Sequence, residues 1–216
     1  MSKMVGFAQG KFISSLLLRK GPAANLSKQL SSKMSNLPKL LVFDLDGCLW
    51  VPEMYELLYG TGGAPFKTKS DGDLTDKSGN IIELMGNVRE IMHELKTNEK
   101  WSNTRVAIAS KCNEPNWAHE CLDKFELPDK IKLRTVFHPD LIEIYFGNKQ
   151  NHLKAIASKS NIDLKDMIFF DNQMDNCVDV AKIGVTVAYT PSGVTKEAFD
   201  QVLEAFPAPG KIIKGK

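Results

Sequence analysis

A run of four apolar residues that leads directly into two aspartates constrains this chain more than any other stretch. Residues 40–43, Leu-Leu-Val-Phe, are followed by Asp44 and Asp46, with one leucine between them. A continuous apolar run is typical of a central strand in a parallel sheet, and such sheets bind ligands at the carboxyl ends of their strands. Because side chains two positions apart on a strand share a face, Asp44 and Asp46 start out together before the chain turns at Gly47.

Two carboxylates gathered at one strand end indicate a cation site. They repel each other unless a proton or a cation lies between them, and the pKa of one then rises. Mg²⁺ is the usual cation, because it prefers oxygen ligands. A solvated turn is the alternative for an Asp-x-Asp sequence taken alone. The buried strand in front of the pair favours the cation site.

The pentapeptide 44–48, Asp-Leu-Asp-Gly-Cys, resembles the first motif of the haloacid dehalogenase (HAD) superfamily of phosphohydrolases. Cys48 departs from that motif, which usually ends in Thr or Val. The resemblance implies that Asp44 attacks phosphorus, that Asp46 acts as general acid and then general base, and that both bind Mg²⁺. It also places Leu45 among the residues that bind the substrate phosphate.

Three further residues match the second and third superfamily motifs. Ser110 and Lys111 end the apolar strand predicted over residues 104–110, and Lys149 opens a helix after a strand predicted over residues 142–146. The resemblance implies that all three bind phosphate. A lysine at a helix start is unfavourable for the helix dipole, and anchoring an anion offers a reason for its position.

Asp171 and Asn172 follow an apolar strand and match the fourth motif, whose second residue is usually an aspartate that binds metal. Asn172 offers a carbonyl oxygen, which is an uncharged Mg²⁺ ligand. We therefore expect Asn172 to bind the metal with a lower affinity. Asp171 is better placed to pair with Lys149 or a metal-bound water, although direct ligation by Asp171 stays open.

Alternating strand and helix patterns predict an α/β fold with a doubly wound, Rossmann-like parallel sheet and helices on both faces. We expect one HAD-like domain over residues 37–206, with residues 207–216 as a C-terminal tail. Residues 50–85 are rich in turns, which predicts a short hairpin flap in place of a folded cap domain. The order of features in this flap is similar to the magnesium-dependent phosphatase-1 family.

The first 43 residues contain seven basic residues and no acidic one, while the rest of the chain carries 21 basic and 26 acidic residues. Residues 1–36 therefore form a basic leader, which is typical of a transit peptide to a mitochondrion or another organelle. A disordered leader on a cytoplasmic protein, or a start at Met34, is the alternative. The net charge gives no sign of nucleic acid, and the apolar run is too short to span a membrane. We expect a monomer.

Cysteine and histidine do not suggest another enzyme class. The four cysteines show no zinc spacing, and none begins a Cys-x₅-Arg phosphate loop, which excludes a cysteine-nucleophile phosphatase. The four histidines are scattered along the chain, and we expect them to be structural or surface residues.

Two function classes remain. The first is a Mg²⁺-dependent phosphomonoester hydrolase that acts through an aspartyl phosphate on sugar phosphates, or on phosphotyrosine and other aryl phosphates; its partners are small phosphate esters or phosphoproteins. The alternative is a non-catalytic phosphate-binding or interaction protein that kept the fold. A small flap predicts an open site of low selectivity, where Trp50, Tyr55 and Phe66 either form an apolar rim or pack the flap on the core.

Overall fold

Strands and helices alternate along the chain in this computed structural model, which describes Met1 and residues 37–214. Apart from Met1, the predicted leader lies outside the described residues. The strands are β1 (Leu40–Phe43), β2 (Trp50–Val51), β3 (Lys67–Thr68), β4 (Leu74–Thr75), β5 (Ile81–Leu84), β6 (Arg105–Ser110), β7 (Ile142–Ile144), β8 (Met167–Asp171), β9 (Thr186–Tyr189) and β10 (Ile212–Lys214). The α-helices are α1 (Met54–Tyr59), α2 (Val88–Thr97), α3 (Pro115–Lys124), α4 (Lys149–Ser160), α5 (Met174–Ala181) and α6 (Lys196–Ala205).

Six strands form one parallel sheet in the order β10-β9-β8-β1-β6-β7. β1 pairs with β6 on one side and with β8 on the other, and the chain order reverses between β1 and β8. In open α/β sheets this reversal opens a crevice at the carboxyl ends of the strands, where ligands bind. The predicted doubly wound parallel sheet is confirmed.

Alternate residues of β1 belong to two separate cores, as a strand covered on both faces requires. Leu41 and Phe43 pack in the core with α2, α3 and α6, whereas Leu40 and Val42 pack in the core with α4 and α5. The apolar run of β1 is therefore explained by burial on both sides. All four of these side chains are fully buried.

The predicted flap is more than a hairpin. Its four short strands form an antiparallel sheet in the order β2-β5-β4-β3, and α1 lies between the first two strands in the chain. Polar contacts fix this sheet to the core: the Arg89 guanidinium donates to Asp73 and to the Glu126 carbonyl, and Glu120 accepts from the Phe66 N–H at 2.9 Å. These contacts attach the flap to α2, to α3 and to Glu126 just after α3.

The chain beyond α6 also differs from the sequence prediction. We expected a tail over residues 207–216, but Ile212–Lys214 pairs with β9 as the sixth strand of the sheet. A turn at Gly210, with φ +74°, brings two half-buried isoleucines, Ile212 and Ile213, to the sheet edge. Among the residues described, no helix has the length and apolar character needed to cross a bilayer.

Candidate active site

Asp44, Lys149 and Asp171 meet at the carboxyl ends of β1 and β8. Lys149 Nζ lies 2.6 Å from Asp44 Oδ1 and 3.1 Å from Asp171 Oδ2, and it donates to the Ala109 carbonyl at 2.7 Å. The Asp44 N–H donates to the Phe170 carbonyl at 3.0 Å, which continues the β1–β8 ladder up to the site. Residues far apart in the chain therefore form one buried ion cluster.

Lys149 remains charged in this cluster. Burial works against the ammonium, but the charges of Asp44 and Asp171 outweigh it and raise the pKa of Lys149. One ammonium then faces two carboxylates. The cluster therefore carries a net negative charge, which favours the binding of a metal cation or of a proton by one carboxylate.

Asp171 has both of its oxygens occupied by protein donors. Oδ1 accepts from the Gln173 N–H at 2.7 Å and from Asn176 Nδ2 at 3.2 Å, while Oδ2 accepts from Lys149 and from Asn176 at 3.1 Å. Burial, with the nearby charge of Asp44, raises the pKa of Asp171 to about 7. Of the two roles left open by the sequence, this geometry favours pairing with Lys149. The contact with Asn176 was not predicted from the sequence, although Asn176 lies in the first turn of α5, close to Asp171 in the chain.

Two buried polar atoms have no hydrogen-bond partner within the described part of the chain: Asn172 Oδ1 and Ser110 Oγ. Unpaired buried oxygens are costly, so each indicates a ligand. Asn172 lies against the turn at Gly47, where a Cβ atom would come 2.3 Å from Asn172 Nδ2. Ser110 ends β6, beside β1.

The donor set near this turn fits Mg²⁺. Over residues 37–214, no three Asp, Glu, His or Cys side chains form a metal-binding group. The available oxygen donors are instead the Asp44 carboxylate and the carbonyl oxygen of Asn172, which has no partner among the described residues, whereas both carboxylate oxygens of Asp46 accept protein hydrogen bonds. Oxygen donors of this kind suit Mg²⁺, which needs few protein ligands because it retains water.

Asp46 is held beside the cluster by two donors from the start of the flap. Trp50 Nε1 donates to Oδ1 at 2.7 Å, and the Met54 N–H donates to Oδ2 at 3.1 Å. Burial raises the pKa of Asp46 to about 7; the Met54 hydrogen bond opposes this shift and the charge of Asp44 adds to it. A carboxyl group with this pKa can both give and take a proton at neutral pH.

The remaining predicted phosphate ligands lie in two different settings. The Leu45 side chain is fully buried, and its N–H donates to Asp44 Oδ1 at 2.8 Å. Leu45 can therefore offer only its main chain to a ligand. Lys111 is exposed just after β6, and no hydrogen bond or ion pair joins it to the aspartates within residues 37–214.

Of the two alternatives left open for the aromatic residues, packing on the core holds for Trp50 and Phe66, and exposure holds for Tyr55. Trp50 is fully buried and stacks on Phe125, and Phe66 is buried with its ring edge against Trp117. Both therefore pack the flap on the core. Tyr55 is 43% exposed on α1. Tyr59, one turn later on the same helix, is exposed as well, with the two ring centres 6.5 Å apart.

A doubly wound sheet with paired aspartates after β1 and a buried lysine opposite them defines a phosphohydrolase of the HAD superfamily. The sequence profile of the acid phosphatase family matches residues 36–208. The chain is 35% identical to magnesium-dependent phosphatase 1 of Homo sapiens over 173 residues, which cover 80% of this chain and 89% of that protein. This chain belongs to the acid phosphatase family, and the predicted superfamily and enzyme class are confirmed.

Two other similarities agree with this assignment. A HAD-like hydrolase superfamily protein of Schizosaccharomyces pombe is 33% identical over 157 residues, which cover 71% of this chain and 86% of that protein. The crystal structure of a HAD-superfamily hydrolase from Ehrlichia chaffeensis is similar with a TM-score of 0.51 and 15% identity, covering 79% of this chain and 96% of that one. At this identity the likeness shows the fold alone.

Proposed function

We propose that this enzyme, a magnesium-dependent phosphatase, hydrolyses phosphate monoesters through a phosphorylated Asp44. The observation that carries the proposal is the buried contact of Lys149 with Asp44 and Asp171, with the unpaired Ser110 hydroxyl at the end of the strand next to β1. Ser110, which can bind an anion, and the nucleophile Asp44 thus lie at the ends of two adjacent strands, β6 and β1. The non-catalytic alternative does not fit a phosphatase family member.

Asp44 and Asn172 would hold Mg²⁺, Asp46 would keep its carboxyl group for proton transfer, and Asp171 holds Lys149 in place. When bound, Mg²⁺ supplies positive charge that offsets the repulsion between a carboxylate and a phosphate dianion. Lys149 contributes a second positive charge, and its contacts with Asp44 and Asp171 hold it in place before substrate arrives. The Ser110 hydroxyl, the Leu45 main chain and the exposed Lys111 complete the phosphate contacts.

The reaction has two steps. In the first, an Asp44 oxygen forms a bond to phosphorus while the bond to the ester oxygen breaks, and Asp46 gives its proton to that leaving oxygen. In the second, Asp46 takes a proton from water as the water oxygen attacks phosphorus, and the bond between phosphorus and Asp44 breaks. The raised pKa of Asp46, about 7, suits both roles at neutral pH.

The substrate class is a phosphate monoester, either a sugar phosphate or a phosphotyrosine or other aryl phosphate. We place the apolar surface for an aryl leaving group on Tyr55 and Tyr59, because Tyr55 follows Met54, whose N–H holds Asp46. A panel of phosphate esters compared by kcat/KM tests this. Aryl esters are expected to be favoured by less than about 10-fold, and discrimination of about 10⁴ for one sugar phosphate would contradict an open site.

Hydrolysis of p-nitrophenyl phosphate tests the mechanism. Activity is expected to require Mg²⁺, to disappear with EDTA, and to fall below detection in Asp44→Asn. Asp163→Asn removes the same charge from an exposed position and is the matched control, with activity expected within about 2-fold of the parent. Phosphate release by Asp44→Asn at the parent rate would exclude Asp44 as the nucleophile.

A further inference from the structure

His152 is completely buried in the first turn of α4, three residues after Lys149. Its Nδ1 lies 3.0 Å from the carbonyl oxygen of Asn148, and its Nε2 lies 3.0 Å from the carbonyl oxygen of Tyr145. Its ring stacks on the Tyr145 ring, with 4.0 Å between the ring centres and an angle of 10°. The imidazole therefore joins both ends of the loop from Tyr145 to Asn148.

Carbonyl oxygens accept hydrogen bonds, so a ring N–H of His152 can donate to either of these two carbonyls. The ring lies between both ends of the loop, and the stacked Tyr145 ring holds its plane.

The loop held by His152 connects two of the proposed phosphate contacts. The Tyr145 N–H donates to the Ser110 carbonyl at 3.1 Å, and Asn148 caps α4 by accepting from the Gln150 N–H at 2.7 Å. Lys149 is the next residue, and its ammonium must reach its three partners over distances of 2.6 to 3.1 Å. A shift of this loop would move Lys149 out of that arrangement.

We propose that His152 is a positioning residue that fixes the Tyr145–Asn148 loop and so places Lys149 against Asp44. This inference rests on the proposed function, because it assigns His152 a role through Lys149. The polar contacts of the His152 ring are these two main-chain carbonyls, and its stacking partner is Tyr145.

The buried hydrogen bond of His152 is tested on the unaltered protein. Hydrogen exchange of the imidazole N–H groups, followed by ¹⁵N and ¹H NMR, measures how strongly each ring N–H is protected from water. We expect the His152 N–H to exchange far more slowly than that of His93, whose Nε2 faces Asp129 near the surface. Equal exchange at the two rings would overturn the proposal, and this experiment needs no variant to fold.

The positioning role is tested with His152→Leu, which has no donor, and His152→Gln, whose amide nitrogen can reach one carbonyl. A misplacement of about 1 Å costs on the order of 10²-fold, so we expect kcat/KM to fall about 100-fold in His152→Leu and less in His152→Gln. Mg²⁺ binding measured by calorimetry should not weaken in either variant, because moving the Lys149 ammonium away from Asp44 removes a competing positive charge from a proposed metal ligand. His93→Gln is the matched control and should keep its activity.

Lys149→Ala separates the two proposals. If Lys149→Ala loses activity while both folded His152 variants keep kcat/KM within about 2-fold, the positioning role is wrong and the proposed function stands. Weakened Mg²⁺ binding in the His152 variants would also overturn the role, because their effect would then extend beyond Lys149. Full activity in Lys149→Ala would refute the phosphate-binding role of that lysine itself.

Discussion

Replacing Lys149 with methionine isolates the charge at the centre of the site. Methionine keeps most of the apolar length of the side chain and removes only the ammonium. Asp44 and Asp171, which are 6% and 0% exposed, then lose the cation that lies within 3.1 Å of both. The Ala109 carbonyl also loses its donor.

The expected cost follows from this burial. Removing one partner of a buried ion pair costs about 3–5 kcal/mol, because the remaining charge has no compensation in the interior. Protonation of Asp171 limits that cost, since burial and the charge of Asp44 already raise its pKa to about 7. The free energy of unfolding of Lys149→Met should therefore fall by about 3 kcal/mol or more near pH 8, and by clearly less near pH 5, where Asp171 binds a proton.

Urea unfolding in EDTA at these two pH values measures the effect. Lys165→Met is the matched control, because Lys165 is exposed and forms its ion pair with the exposed Asp163, and it should change stability by less than about 0.5 kcal/mol. The double variant Lys149→Met/Asp171→Asn should regain part of the loss near pH 8. A loss below about 1 kcal/mol in Lys149→Met, or an equal loss at both pH values, would refute the view that Lys149 neutralises these carboxylates.

Three further predictions concern the metal, the pH and the leader. Asn172→Asp should tighten Mg²⁺ binding about 10-fold in calorimetry, because a formal charge replaces a carbonyl dipole; an unchanged constant would place Asn172 outside the metal ligands. The metal-free protein should lose stability as pH rises from about 5 to 8, because the pKa values of Asp46 and Asp171 are raised from 3.8 to about 7. Between those values the folded state binds more protons than the unfolded chain, so the stabilisation is complete below about pH 4 and is lost on passing pH 7; urea unfolding with a flat pH profile would contradict this. Residues 1–36 fused to a fluorescent protein should direct it to mitochondria or another organelle, and diffuse cytoplasmic fluorescence would favour the alternative leader.

Much of the sheet could be predicted because its strands are buried on both faces. β1 and β8 carry continuous apolar runs that end in acidic or amide side chains. The position of these strands, and of the site at their carboxyl ends, could therefore be predicted from the order of residues along the chain. The helices α2 and α6 have apolar residues at helical spacing, which predicts one buried face. β10 was missed because two half-buried isoleucines in a Pro- and Gly-rich stretch give no strand pattern.

The flap shows where local patterns fail. An aromatic residue next to a predicted site can face either the ligand or the core, and only packing decides between them. Trp50 packs on Phe125 and Phe66 on Trp117, both of them partners distant in the chain. Tyr55 and Tyr59 lie side by side because α1 places them one turn apart. This helix has only six residues, which is too short to give a clear periodicity in the sequence.

By itself, the sequence determined the fold class, the order of the motifs and the identity of the polar residues that follow β1, β6 and β8. These are local properties, because a strand and the side chain at its end are neighbours in the chain. Only the tertiary structure decided that Lys149 contacts both Asp44 and Asp171, that Asn172 Oδ1 lacks a partner among residues 37–214, and that His152 faces two carbonyl oxygens. Hydrogen bonding and burial depend on which elements become neighbours in space, and that is set by the crossovers of the sheet.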